Sequence, residues 1–272
     1  MTFQSFIPTP LTDVQLVHTE ELDRLIADTL ASLQAVQELA AHMPDETIQA
    51  LARGEAEFSC KLASGEQPIS FAFTATVDPA LAEDTANLLR ATRYAFEAMD
   101  ELPLSARLLT NAHYLLCQSD RYAKKYPGEF RRSPVWIGWK DDGLKGALFV
   151  PPVYEEMTEA FSDLERYIHY AEGEPVLVRA ALIHYQFEAI HPFIDGNGRI
   201  GRLLNALYLK QQAIVDYPIV GLSQALYKQA AIYYRELQRV NDTGRYERWV
   251  NYFLESLRTA TETTLRTLSS YR

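Results

Sequence analysis

Apolar residues recur along this chain at helical intervals, three or four positions apart. Leu22, Leu25, Ile26 and Leu30 form one such stripe, continued by Leu33, Val36 and Leu39. A further run follows Pro79 through Leu88, Leu89, Ala95 and Phe96, and Pro103-Leu104-Ser105 opens another through Leu108, Leu109 and Leu115. This period predicts amphipathic helices whose stripes form core rather than a binding surface. Pro175 suits a first helical turn, and Val176, Ala180, Ile183, Phe187 and Ile190 then mark one buried face that runs directly into His191. Beyond Gly198 the apolar positions Ile200, Leu203, Leu204 and Leu207 leave little room for a polar face, which predicts a helix at the centre of a bundle. Period-two alternation is convincing only over residues 134–139 and 147–150, with Asp142-Gly143 between them as a turn signal, so a hairpin is expected there. No internal repeat stands out. The pattern predicts a mainly α fold with a seam near residues 65–82, dividing an N-terminal helical region (1–82) from a larger domain (83–272).

The string His191-Pro192-Phe193-Ile194-Asp195-Gly196-Asn197-Gly198-Arg199-Ile200-Gly201-Arg202 concentrates chemistry between the two central helices. Gly196-Asn197-Gly198 allows a tight turn with N–H groups converging at a helix start, and a helix N-terminus favours anions. Arg199 and Arg202, three apart, share one helix face from which guanidinium groups meet phosphate oxygens. Asp195 offers a hard oxygen ligand for Mg²⁺, and His191 is a group able to take a proton near neutral pH. Each residue alone reads as structural. A structural turn, however, has no need of a histidine, an aspartate and two arginines at fixed offsets. Phe193 is expected to point into the core and lock the loop, and His184 to serve packing or a hydrogen bond.

Composition narrows the function. The formal net charge of −10 over 272 residues argues against a nucleic-acid-binding surface. Cys60 and Cys117 lie far apart without metal-ligand spacing, so free thiols in a reducing compartment are expected. The first residues lack a basic start followed by an apolar core, and no run of about 18 apolar residues occurs; the expectation is a cytoplasmic protein with no membrane partner.

The twelve-residue string resembles the signature of the Fic family, His-Pro-Phe-x-Asp/Glu-Gly-Asn-Gly-Arg-x-x-Arg, at every fixed position. The likeness extends upstream to Pro127-Gly128-Glu129-Phe130-Arg131, Trp136-Ile137-Gly138 and Phe149-Val150-Pro151-Pro152, with Asn87, Leu104 and His113 on earlier helices. Downstream it includes Leu222-Ser223, Tyr233-Tyr234 and residues 244–249, so it covers roughly residues 45–257. The resemblance implies a Fic-fold protein adenylyltransferase, which moves AMP from Mg-ATP to a Tyr, Thr or Ser hydroxyl of a protein target. The chain itself is one candidate target, and self-association is compatible with that. His191 would be the catalytic base and Asp195 the metal ligand. The Gly196–Arg199 backbone, with Asn197, Gly198 and Arg199, would hold the α- and β-phosphates, and Arg202 would reach the γ-phosphate. Tyr233, Tyr234, Trp249 and Asn251 are candidates for the adenine pocket, Tyr234 foremost, and all four fit equally as core aromatics or caps; the hairpin would be a flap pairing with the target segment. A transferase using another nucleotide or phosphate donor remains open, as does a non-catalytic ATP-binding regulatory module.

Many Fic proteins carry an inhibitory helix, Ser/Thr-x-x-x-Glu-Gly/Asn, whose glutamate pairs with the second motif arginine. The fitting stretch here, Glu55 to Ser64, reads Ser59-Cys60-Lys61-Leu62-Ala63-Ser64, so Ala63 stands where the glutamate is expected. This degenerate segment predicts an Arg202 without a partner and a missing intramolecular brake, with Glu66 as the nearest substitute.

Overall fold

The computed structural model describes residues 5–64, 78–138 and 146–271. Within them ten α-helices follow in order: α1 (Glu20–Ala40), α2 (Asp45–Ser64), α3 (Pro79–Ala98), α4 (Ala106–Leu116), α5 (Tyr154–Tyr170), α6 (Val176–Ile190), α7 (Asn197–Gln211), α8 (Leu222–Lys228), α9 (Ala230–Thr243) and α10 (Glu247–Ser269). The starts follow capping chemistry. The Thr19 hydroxyl accepts the Leu22 N–H at 3.2 Å, and the Asp78 carboxylate accepts Ala80 N–H at 3.0 Å with Pro79 in the first turn.

Helix α6 is buried on nearly every side and packs against α5, α7 and α10, its apolar positions interrupted only by Arg179, His184, Gln186 and Glu188. Leu177, Ile183, Phe187, Ile200, Leu204 and Leu207 are completely covered, and together they fix the two helices that carry the motif loop. Fully burying each such side chain contributes about 1.5–3 kcal/mol. Helix α1 lies along α10, and α2 packs against α3, α7 and α8. A second apolar cluster, with Val36, Ala40, Ala52, Ile219 and Leu268, seals the place where α1, α2 and α10 meet. The end of α2 is thereby held beside the start of α7.

The expected hairpin is reduced to one antiparallel bridge among the described residues. Ile137 N–H donates to the Phe149 carbonyl at 2.8 Å, and the Ile137 carbonyl accepts from Leu148 and Phe149 N–H. Pro134 and Pro151-Pro152 lack N–H donors and so limit the ladder at both flanks. The turn expected at Asp142-Gly143, like Glu66, lies outside the described residues.

Candidate active site

The loop between α6 and α7 is held by bonds that its own sequence only partly announces. Helix α6 ends because His191 adopts a left-handed conformation (φ 51°), unusual for a side chain with a Cβ, and Pro192 follows. The carbonyls released there are collected by Arg131, which is 1% exposed. Its Nε donates to the His191 carbonyl at 2.7 Å, while Nη2 donates to those of Pro152 (2.6 Å) and Ile190 (3.2 Å). Its backbone N–H also donates to the Pro192 carbonyl. Burial lowers the Arg131 pKa to about 10, which still leaves a cation at neutral pH. Asn197 closes the loop with a pair of 2.8 Å bonds to the Phe193 N–H and carbonyl.

Phe193 is buried, as expected, and its ring stacks on His113 with centroids 3.8 Å apart. Gly128 N–H donates to His113 Nδ1, so the His113 proton sits on Nε2 and is donated to the Asp195 carbonyl at 2.9 Å. Burial pushes His113 down to about 4, keeping it in this neutral form. Gly196 (φ 84°) completes the turn; a Cβ there would meet Leu116 and the His113 ring at 3.2–3.4 Å.

These constraints decide the state of His191. Its Nδ1 lies 3.3 Å from the Glu188 carbonyl, an acceptor only, so Nδ1 carries the proton and Nε2 keeps a lone pair. Burial lowers its pKa to about 4, the Glu188 bond opposing and the Arg131 charge assisting, and the ring is neutral at physiological pH.

A cleft of about 160 Å³ opens beside the start of α7. Asp195 and Arg199 form one wall, Ala63 and Ser64 from the end of α2 another, Asp84 a third, and Arg121, Tyr122 and Lys125 the last. Arg199 is 4% exposed; its Nη1 donates to Asp84 Oδ2 (2.8 Å) and Tyr122 Oη (2.7 Å), and its Nη2 to Asp195 Oδ1 (3.0 Å). Asp195 Oδ1 also accepts Gly196 N–H, and Oδ2 takes the Lys125 ammonium. Burial alone would raise the Asp195 pKa. The Lys125 bond, the Arg199 and Lys125 charges and the Gly196 N–H outweigh it and hold the carboxyl below its ordinary range.

Arg202 is not free. Its Nε donates to Ser59 Oγ at 2.9 Å and its Nη2 to the Ser59 carbonyl at 2.8 Å, with the side chain 4% exposed. Ser59 lies one helical turn before Ala63, so the same helix that lacks the glutamate still supplies two neutral acceptors. The expectation of an unpartnered Arg202 is corrected accordingly. The neighbouring Glu188 carboxyl has no partner for Oε1, and burial raises its pKa to about 7 despite the nearby Arg202 charge.

The motif residues His191, Asp195, Gly196, Asn197, Gly198, Arg199 and Arg202 thus meet in one loop and one helical turn. The aromatic candidates do not join them as a group. Trp249 is wholly buried and donates its indole N–H to the Ala181 carbonyl, and Tyr233 is buried against His184 Nε2 at 2.9 Å. Both are core. Asn251 bonds within its own helix to the Glu247 carbonyl. Tyr234, half exposed, donates to the Leu62 carbonyl at 3.0 Å and fastens the end of α2 to α9. Asp84, Arg121, Tyr122 and Lys125 carry no signal in the sequence, being ordinary charged and aromatic residues far from the motif. Arg131 was legible only as part of a family-like stretch.

Comparison with known proteins agrees with this geometry. The Fic/DOC family pattern matches residues 103–209. Protein adenylyltransferase Fic of Drosophila ananassae is 36% identical over 119 residues, covering 42% of this chain and 20% of that protein. The Drosophila erecta protein of the same name is 35% identical over 119 residues, covering 42% and 21%. The match therefore spans about a fifth of the length of these relatives. A Fic family protein from Desulfovibrio desulfuricans G20 superposes with a TM-score of 0.68 at 22% identity, over 93% of this chain and 76% of that one. A Fic domain containing signaling protein from Bacteroides thetaiotaomicron does so with 0.61 at 17% identity, over 90% and 98%. At such identities the likeness is one of fold, and among the described residues no helix is long and apolar enough to cross a membrane. Fold, motif loop and family pattern converge on the same helices, and the chain carries a Fic/DOC domain at residues 103–209.

Proposed function

We propose that this protein transfers AMP from Mg-ATP to a side-chain hydroxyl of a protein, which includes the chain itself as a possible acceptor. The observation that carries this reading is the fixed tautomer of His191: its proton is committed to the Glu188 carbonyl, and Nε2 is left as an acceptor beside a helix N-terminus suited to phosphate. The incoming hydroxyl gives its proton to Nε2 as its oxygen bonds to the α-phosphorus. The bond from that phosphorus to the bridging oxygen breaks, and pyrophosphate leaves. A pKa of about 4 makes His191 a weak base in the nucleotide-free protein, and the negative charge of a bound triphosphate raises it. The first N–H groups of α7 and Arg199 stabilise charge on the phosphates, with Arg202 behind them once its Ser59 contact yields.

The residues present fit a magnesium ion. Among the described residues no group of three or more His, Cys, Asp or Glu side chains could hold a metal, but Mg²⁺ needs only one or two carboxylates when substrate phosphates and water complete its shell. Asp195 lies in the cleft wall with Oδ2 bound only to a lysine. When bound, the ion would neutralise charge on the α- and β-phosphates.

Reaction with ATP labelled at the α-phosphate tests the reading. Transfer of the label to a protein hydroxyl, lost on His191→Ala, supports it. Because Tyr233 and Trp249 belong to the core, those two rings do not line an adenine pocket, and a transferase acting on another nucleotide is the second reading; parallel reactions with each labelled nucleotide distinguish the two.

A further inference from the structure

Three cations surround one buried ring in the cleft. Arg121 lies 4.7 Å, Lys125 5.1 Å and Arg199 5.4 Å from the centroid of Tyr122, which is 2% exposed. Among the described residues two carboxylates, Asp84 and Asp195, are bonded to them. Asp78 at the rim is exposed and directs its carboxylate to the Ala80 N–H at the start of α3. The cluster is thus positively charged within a chain whose formal net charge is −10, a local excess that favours an anion.

The three cations are held differently. Arg199 is anchored on Asp84, Tyr122 and Asp195. Arg121 is committed to Asp84 and the Tyr122 hydroxyl. Among the described residues Lys125 has a single hydrogen-bond acceptor, Asp195 Oδ2, and its side chain is 37% exposed. A lysine is a compact charge on a flexible stem and changes partner easily. The oxygen it covers is the one that a divalent cation would need.

We propose that Lys125 is a phosphate-binding residue that, in the nucleotide-free protein, holds the place of the divalent cation on Asp195 and moves to a phosphate oxygen when metal and nucleotide enter together. The Asp195 carboxylate then has a cationic partner in both states, and a metal ion without phosphate must compete with the ammonium. Lys125 therefore disfavours bare metal and favours metal-nucleotide. The identity of the nucleotide rests on the adenylyl-transfer reading; the exchange of charge on Asp195 does not.

Mn²⁺ binding, followed by electron paramagnetic resonance on the full chain, tests this with and without the α,β-methylene analogue of ATP. Lys125→Met should bind Mn²⁺ alone about tenfold more tightly, and the Mn²⁺–analogue complex about tenfold more weakly, as removal of one contact charge in a partly screened cleft implies. Lys125→Arg should retain both wild-type affinities to within about threefold, since its charge is kept. Affinities that stay the same, or that move in one direction together, overturn the proposal. A gain for bare Mn²⁺ without a loss for the analogue overturns the phosphate role and leaves adenylyl transfer standing. Failure of the wild type to bind the analogue at all contradicts the nucleotide reading and the phosphate role alike.

Discussion

The two sides of the site are built in opposite ways. On the α6–α7 side, His191 and the loop after it are fixed by backbone groups: Arg131 takes three successive carbonyls through Pro192, Asn197 closes on Phe193, and His113 carries the Asp195 carbonyl. On the side formed by α2, α3 and residues 121–125, the contacts are mostly between charged or polar side chains, several of them partly exposed. Geometry that must not change is written in buried backbone bonds. The charge that we propose is exchanged for a ligand is held by side chains, Lys125 among them, that are partly exposed.

The largest effect expected is on the fixed side. His191→Ala should lower transfer about 10²–10⁴-fold while nucleotide affinity stays within a fewfold of the parent, measured by single-turnover kinetics and equilibrium binding. A matched loss of binding would place His191 on the nucleotide instead of the acceptor.

Next is Arg131→Ala. It leaves buried carbonyls without a donor at a strained turn, each worth about 1–3 kcal/mol, so chemical denaturation should show a loss of roughly 3 kcal/mol or more. Lys125→Met, on the exchangeable side, should change stability by no more than about 1 kcal/mol because its ion pair is partly solvated. Equal losses would erase the distinction between the two sides.

Ala63→Glu probes the cleft wall at the position where the expected carboxylate is missing. A glutamate there should compete with phosphate for the cations and weaken ATP binding severalfold, up to about tenfold, because Ala63 is solvent-exposed and the pair is partly screened; isothermal titration of both proteins decides. Unchanged affinity would mean that Ser59 already sets the position of Arg202 and that α2 does not reach the phosphates.

Glu188 gives a pH signature. Its folded pKa of about 7 is raised above the unfolded value, so the stability it contributes is present at low pH and lost as pH rises through about 7. Glu188→Gln removes that dependence. The stability of the variant relative to the parent should rise between pH 5 and pH 8 by about 2–3 kcal/mol, read from urea denaturation at each pH; a difference independent of pH would contradict a buried protonated carboxyl.

Much of this was legible in the sequence. The apolar period located α1, α3, α4, α6 and α7, because amphipathic burial leaves its mark on neighbouring positions. The motif loop was legible because its seven chemically distinctive residues fall within twelve positions. Asp84 was not, since it reaches Arg199 across 115 positions and nothing local requires it. For Trp249 and Tyr233 the sequence left pocket and core equally open, because an aromatic side chain has the same appearance in sequence whether it lines a pocket or fills a core; burial decides for the core. Arg202 was expected to stand alone because a missing glutamate is visible, whereas a serine hydroxyl and a helix carbonyl serving in its place are not.

The most direct test of the account compares ATP labelled at the α-phosphate with ATP labelled at the γ-phosphate, using the purified protein alone and with a cell lysate supplying acceptors. Label from the α position should appear on a protein hydroxyl, as one added AMP by mass spectrometry, and should vanish with His191→Ala. Transfer of the γ label, or α-label transfer that survives His191→Ala, would contradict it.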